Sequence, residues 1–372
     1  MAPNPRLQQL HEAGVSIWLD TLSRDLLDSG GFTELIGEYS VTGATSNPTI
    51  FAKAIEGSDL YDDELGRLAA TDHDGTRELF FSIALEDVRS AAGQLRAQYD
   101  RTGGTDGFIS FECTPDLADD TEATIAQAID LWQRIDRPNA MIKVPGTEAG
   151  LPAIEELTRR GVNVNITLLF SIERYEQVID AYLRGLGARA QAGKPVDSIS
   201  SVASFFLSRI DTKVDAQLPQ ESPIRGRVAL ASARVAYNRY LTKFTGPEWE
   251  QLERAGAKPQ RPLWASTGTK NPDYSDVLYV SELIGPGVIN TMPEQTLRAF
   301  ADHGQVRRTL DTDPGAAERT LAGARAAGIQ LSAVTTELER EGVQAFCDSY
   351  RQLLDCIDGK LKGRTLTGRG RV

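Results

Sequence analysis

Short apolar runs alternate with longer stretches of helical periodicity along most of the chain. Eight such runs stand out: VSIWLD from Val15, YSVTGATSN from Tyr39, GFISFECT from Gly107, AMIKVPG from Ala140, VNVNITLLF from Val162, SISSVASFF from Ser198, RPLWAST from Arg261 and GVINTM from Gly287. Their length and their turn-forming borders predict buried strands. Between them the spacing of apolar residues predicts helices, including 119–135, 171–192 and 224–244. In the last of these, Val228, Leu230, Ala231 and Val235 mark an apolar face. Strand and helix in alternation imply a parallel sheet with helical crossovers, and eight strands are the number that closes into a (β/α)8 TIM barrel. An open doubly wound sheet is the alternative. Further helices are expected at 314–327 and 335–357, capping or flanking the barrel. No linker-like stretch and no repeat interrupts the chain, so residues 1–372 are expected to form one domain. Its C-terminal helices, about 314–360, should pack on the barrel ahead of a short basic tail.

Alternation within the strands says which residues face inward. In the fifth run Asn163, Asn165 and Thr167 share one parity, while Val162, Val164, Ile166 and Leu168 share the other. With helices on either side in sequence, the apolar parity should meet the helix layer and the polar one should line the barrel. The sixth run repeats this with Ser198, Ser200, Val202, Ser204 and Phe206. The same rule sends Lys143 inward with Met141, leaves Ile142 and Val144 for the helices, and puts Thr147 at the N-cap of the next helix. Active sites of such barrels sit at the carboxyl ends of the strands. Asp20, Glu112 and Lys143 stand there, each closing an apolar run.

Composition narrows the function. The net charge of −12 has no basic stripe except the tail KLKGRTLTGRGRV, read as a solvated terminus. Nucleic acid and anionic membranes are therefore not expected partners. Three cysteines and three scattered histidines match no metal-ligand spacing, and no leader or membrane-length apolar run is visible. A cytoplasmic protein without metal or cofactor is expected. Cys113 should point to the helix layer as an inert thiol, and Trp18 and Trp264 should be core. The motif GLGARA from Gly185 follows a helical pattern instead of a strand, which removes its dinucleotide reading. The stretch TDHDG around Asp72 is an acidic loop without ligand spacing.

Lys143 raises the chemical question. Burial disfavours an ammonium group, so such a lysine is either paired with an acid or has a lowered pKa and serves as a nucleophile toward carbonyls. Likewise Asp20 and Glu112 each read as a salt-bridge or cap residue or as a catalytic acid. A lysine with two carboxylates and no metal suits Schiff-base carbon–carbon chemistry: the iminium draws electrons, and the carboxylates move protons and water.

The segments ATSNPTIF, MIKVPGT and VNVNITLLFS, in this order, resemble the signatures of the transaldolases, in particular the longer actinobacterial type. The resemblance implies a transferase of the class I Schiff-base kind. Such an enzyme moves a dihydroxyacetone unit between sugar phosphates in the non-oxidative pentose phosphate pathway of carbohydrate metabolism. Donors would be fructose 6-phosphate or sedoheptulose 7-phosphate, and acceptors erythrose 4-phosphate or glyceraldehyde 3-phosphate. It makes Lys143 the Schiff-base lysine, Asp20 the acid/base at the cleaved bond, and Glu112 with Thr167 the pair that handles water. Asn47, Asn165 and Ser204 would hold the dihydroxyacetone hydroxyls, and Arg209 and Ser266 the phosphate. Where the family often has an arginine two residues after that serine, this chain has Gly268, with Lys270 further on as a replacement point charge. Related fructose 6-phosphate aldolases carry tyrosine and glutamine where this chain has Phe206 and Glu112, which favours transfer over lysis. That lyase, and a sugar-phosphate-binding scaffold without chemistry, are the competing functions. A monomer and a homodimer are both compatible with the sequence.

Overall fold

A computed structural model describes residues 2–70 and 75–368; of residues 314 and 363–368 only the backbone is described. The acidic loop around Asp72 and the last four residues lie outside this range. All eight expected strands are present: β1 Val15–Leu19, β2 Val41–Thr45, β3 Ile109–Glu112, β4 Ala140–Pro145, β5 Val164–Leu169, β6 Ser201–Phe206, β7 Arg261–Ala265 and β8 Val288–Met292. They close into a parallel barrel in sequence order, with β8 pairing back onto β1. The doubly wound alternative is thereby set aside.

Two cores result. Trp18, Phe108, Met141, Val202, Leu263 and Ile289 fill the barrel interior, while the other parity of each strand packs against the helices. The two strand tryptophans divide between them: Trp18 points inward and Trp264 outward. Gly43 on β2 makes room for the first, since a Cβ there would lie 2.5 Å from the Trp18 ring. Only glycine tolerates so close an approach.

The helix Thr121–Ile135 starts on the Asp120 side chain, which accepts from Ala123 N, and Ile172–Gln191 starts on Ser171, which accepts from Arg174 N. These caps satisfy N–H groups that the first turn leaves open. GLGARA lies inside the second of these helices. The helix after β4 begins at Gly150, two residues later than a Thr147 N-cap implies, although Thr147 Oγ1 still accepts from Gly150 N at 3.1 Å. The helix Val228–Lys243 also starts later than its apolar pattern suggested, because residues before it are held in turns on Asp215.

Three expectations require correction. Leu168 does not keep the alternation of β5: its φ is +61° and the β5–β6 register shifts between Ile166 and Leu169. Ser198 precedes β6 and is exposed. The final helix runs Leu331–Gly368, well past the expected 335–357, so most of the basic tail is helical in place of a loose terminus. Glycines at 342, 359 and 363 do not stop it, although each costs about 1 kcal/mol in a helix interior. A buried stripe of Leu338, Phe346, Tyr350, Leu353 and Ile357 outweighs that cost. Lys213 pairs with Glu337 and Glu341 near one end, and Lys360 with Asp62 near the other. A Cβ on Gly342 would lie 2.9 Å from Leu168 Cδ2, so the helix passes directly over the carboxyl end of β5. It is a strap across the mouth of the barrel.

Candidate active site

A cavity of about 280 Å³ opens at the carboxyl ends of the strands. Its walls include Asp20, Asn47, Lys143, Thr167, Ser204, Phe206, Arg209 and Ser266, eight of the eleven residues expected at the site. Glu112 and Asn165 stand behind this wall, and Lys270 lies on an adjoining groove.

Strand register sets the central pair. Glu112 on β3 and Lys143 on β4 are direct partners, and Lys143 is in turn the partner of Asn165 on β5. Both side chains point into the barrel. Lys143 is 5% exposed, and its Nζ donates to Glu112 Oε2 at 3.3 Å and to Ser46 O at 3.2 Å. Burial pushes the Glu112 pKa upward; Lys143 opposes the shift and Asp20 adds to it. The two carboxylates therefore sense each other across the lysine. Asp20 follows β1, and its Oδ1 accepts from Thr45 Oγ1 at 3.0 Å.

The remaining polar groups separate into spent and unspent. Asn165 spends its amide inside the wall: Nδ2 donates to Ser110 Oγ at 2.9 Å, and Oδ1 accepts from Ser204 Oγ at 2.7 Å. Asn47 uses Oδ1 to cap the helix Pro48–Glu56, accepting from Ile50 N at 3.0 Å. Thr167 Oγ1 is fully buried and has no partner among the described residues. A buried hydroxyl left so is costly, and its place on the cavity wall leaves it open to a ligand or water.

Arg209, in the helix Ser208–Asp215 after β6, makes no ion pair among the described residues. Its guanidinium stacks 5.6 Å from the centroid of Phe206, which itself lies 5.4 Å from Phe170. Burial lowers its pKa, countered by Glu341 of the strap. Lys270 is exposed, yet its pKa is lowered by burial of its surroundings and by Arg209. Two cations thus lie within electrostatic reach of each other, neither in an ion pair among the described residues, which suits a phosphate. Ser266 joins that rim with φ +51°, its N–H donating to Thr291 Oγ1 at 2.9 Å. Strain at such a position is often found where a site is built.

Cys113 points away from the cavity, is buried, and has its thiol pKa raised by burial and by Glu112. The thiol is thus buried on the helix side, as expected, a setting that disfavours the reactive thiolate. Asn163 belongs to the other end of the barrel, where its Oδ1 accepts from Ser200 N at 2.9 Å.

Sequence reasoning missed several participants. Ser110 shares the parity of Glu112 and so was open to the same argument. Thr45 could have been found as the last residue of β2. Phe346 had no signal at all: it reaches the cavity from the strap, far beyond the last strand.

Residues 17–357 match the family model described as transaldolase/fructose-6-phosphate aldolase. A transaldolase of Frankia alni is 48% identical over 370 residues, covering 98% of this chain and 99% of the relative. That of Mycolicibacterium smegmatis is 47% identical over 369 residues, covering 97% and 99%. That of Thermobifida fusca is 48% identical over 367 residues, covering 96% and 99%. By extent and identity of match, following on a barrel with a buried lysine paired to one carboxylate and sharing its cavity with a second, the chain belongs to the transaldolase/fructose-6-phosphate aldolase family.

Proposed function

We propose that the chain is a transaldolase, a transferase that carries a dihydroxyacetone unit from a ketose phosphate to an aldose phosphate as an imine on Lys143. The observation that carries this reading is the setting of Lys143. It is buried, hydrogen-bonded to an acid whose own pKa is raised, and on the wall of a cavity whose rim holds an arginine without an ion pair among the described residues. The names of the relatives point the same way.

In this reading the Lys143 amine attacks the ketose C2, and Glu112 passes the protons that let water leave. Thr167 offers its unspent hydroxyl to that water. The iminium then draws electrons from the C3–C4 bond while Asp20 takes the C4 hydroxyl proton, and an aldose phosphate departs. The remaining enamine adds to the acceptor aldehyde, Asp20 returns its proton to the new hydroxyl, and water frees the product. Asn47, Ser204 and, from behind, Asn165 would hold the dihydroxyacetone hydroxyls. Arg209, Ser266 and Lys270 would take the phosphate, with Lys270 as a point charge in place of a second arginine. No cofactor enters any step. The chain would act as one unit, because the strap supplies part of the cavity wall. The cytoplasm, where thiols such as Cys113, Cys347 and Cys356 stay reduced, is the proposed compartment. Among the described residues no helix is long and apolar enough to cross a membrane.

The test is turnover of fructose 6-phosphate with and without erythrose 4-phosphate. Consumption that needs the acceptor and yields sedoheptulose 7-phosphate is expected. Equal consumption without acceptor, with free dihydroxyacetone released, would make the protein a lyase; binding without turnover would make it a scaffold.

A further inference from the structure

Every residue on the cavity wall belongs to a barrel strand or to the segment directly following one, except Phe346. This side chain comes from the strap, is 6% exposed, and is held over the mouth by contacts on both sides of it in sequence. Ahead of it, Gly342 lies against Leu168, and a Cβ there would also come within 3.7 Å of Arg209 Nη1. Behind it, Ser349 Oγ accepts from Thr49 Oγ1 at 2.7 Å, and Thr49 is itself on the cavity wall. The surface ion pairs of the strap each contribute little; the apolar stripe and these close contacts fix its place. An aromatic ring with no polar atom is thus set against a cavity whose other walls carry Lys143, Asp20, Thr167 and Arg209.

We propose that Phe346 determines whether the dihydroxyacetone unit is passed on or lost, by keeping bulk water off the carbon that is about to react. The inference rests on the transaldolase reading above. After donor cleavage the unit is an enamine on Lys143, and Asp20 carries the proton taken from the C4 hydroxyl. In transfer, the enamine carbon bonds to the acceptor carbonyl carbon, the carbonyl oxygen takes the Asp20 proton, and the C=N⁺ bond re-forms. In loss, the enamine carbon takes a proton from water, and the Asp20 proton neutralises the hydroxide. A second water then adds to the imine carbon, the C–N bond breaks, and dihydroxyacetone leaves the regenerated amine. Both routes start from the same species and differ in what reaches its carbon first. Exclusion of water from a closed site suppresses the second route. Phe346 supplies that exclusion from an element outside the barrel, so the chemistry of the strands and the fate of the intermediate have separate structural sources.

The experiment measures, for each variant, the ratio of free dihydroxyacetone released to sedoheptulose 7-phosphate formed at fixed acceptor. Phe346→Ala should raise this ratio by about tenfold or more. Phe346→Val should raise it less and serves if the alanine variant does not fold, and Phe346→Leu should stay near the wild-type ratio. Loss of strap stability alone would lower both products together and leave the ratio unchanged. An unchanged ratio in a folded Phe346→Ala or Phe346→Val variant overturns the inference, as does a Phe346→Leu variant as leaky as the alanine one. Borohydride labelling of wild-type Lys143 in the presence of fructose 6-phosphate separates the two levels. An unlabelled lysine fails the underlying reading and this inference with it, whereas a labelled lysine with an unchanged ratio fails this inference alone.

Discussion

The two ends of the barrel bury polar groups in similar number and to opposite effect. At the amino end Asp106 accepts from Ser16 Oγ at 2.5 Å, Trp18 Nε1 at 2.8 Å and Gly107 N at 2.9 Å. Arg261 donates to the same Ser16 Oγ at 2.8 Å and to the carbonyls of Thr105, Gly287 and Val288. Asn163 bonds Pro138 O, Ala140 O and Ser200 N, and Ser200 Oγ bonds Gly104 O. Each of these groups is satisfied by the protein, although at the same end Asn139 Oδ1 and Gln260 Oε1 are buried without a partner among the described residues. At the carboxyl end, among the described residues, Thr167 Oγ1 has no partner and Arg209 makes no ion pair, while Lys143 holds Glu112 at 3.3 Å. Burial of polar residues does not by itself mark a site. Incomplete satisfaction on the wall of a cavity does, as at Thr167, because the free energy withheld from the fold is available to a ligand.

If that contrast is right, mutations at the two ends should move different observables. The largest stability effect is expected from Asp106→Ala, which leaves Ser16 Oγ and Trp18 Nε1 short of an acceptor and removes the negative charge that offsets the buried Arg261. A loss of about 3–5 kcal/mol in urea unfolding is predicted, with the turnover of the remaining folded protein unchanged. A folded variant with impaired chemistry would break the comparison. Next in size, Arg209→Met should raise KM for fructose 6-phosphate by roughly a hundredfold, a loss of about 3 kcal/mol. Stability should hold or rise, since a partly buried cation without an acid is removed.

Asp211 sharpens the boundary between the two kinds of burial. It lies in the helix that carries Arg209 but is saturated like the amino end, accepting from Ala229 N at 2.9 Å and Tyr279 Oη at 2.8 Å. Burial nonetheless pushes its pKa up to about 6. A carboxyl with a raised folded-state pKa binds its proton more tightly when folded. Its contribution to stability is therefore complete below the unfolded value and is lost as pH rises through about 6. Wild-type protein should lose about 3 kcal/mol more than Asp211→Asn between pH 4 and pH 7, as the size of the shift implies. Parallel stability curves for the two proteins would contradict this. The smallest effect is expected from Thr167→Val, which exchanges an unpaired buried hydroxyl for a methyl. It should gain about 1 kcal/mol of stability while slowing imine formation in single-turnover trapping. A loss of stability would mean that the hydroxyl serves the fold.

How much of this was legible in the sequence depended on whether local pattern or distant packing decided the outcome. The strands were readable because apolar runs with turn-forming borders have one economical use in an alternating chain. Lys143, Glu112 and Asp20 were readable because parity and strand ends fix direction. Leu168 was not, since its turn into positive φ answers to the strap lying over it, and parity holds only while the strand stays regular. The strap's length was hidden by its glycines, which local propensity penalises and packing tolerates. Asn165 was placed correctly on the inner face, but only the folded barrel reveals that Ser110 and Ser204 occupy its amide. Lys270 was expected beside the phosphate and lies on the neighbouring groove, within electrostatic reach of Arg209. The pairing of Asp106 with Ser16 and Trp18 of β1, and of Arg261 with that same Ser16, joins segments far apart in the chain, and no local signal announces it.

The most direct test of the account is borohydride reduction of the protein with fructose 6-phosphate, followed by peptide mass mapping, with Lys143→Met as control. Hydride converts an imine to a stable amine, so a dihydroxyacetone-sized addition on Lys143, absent from the control, is the predicted result. Folded wild-type protein with no addition on Lys143, or with the addition on another lysine, would contradict it.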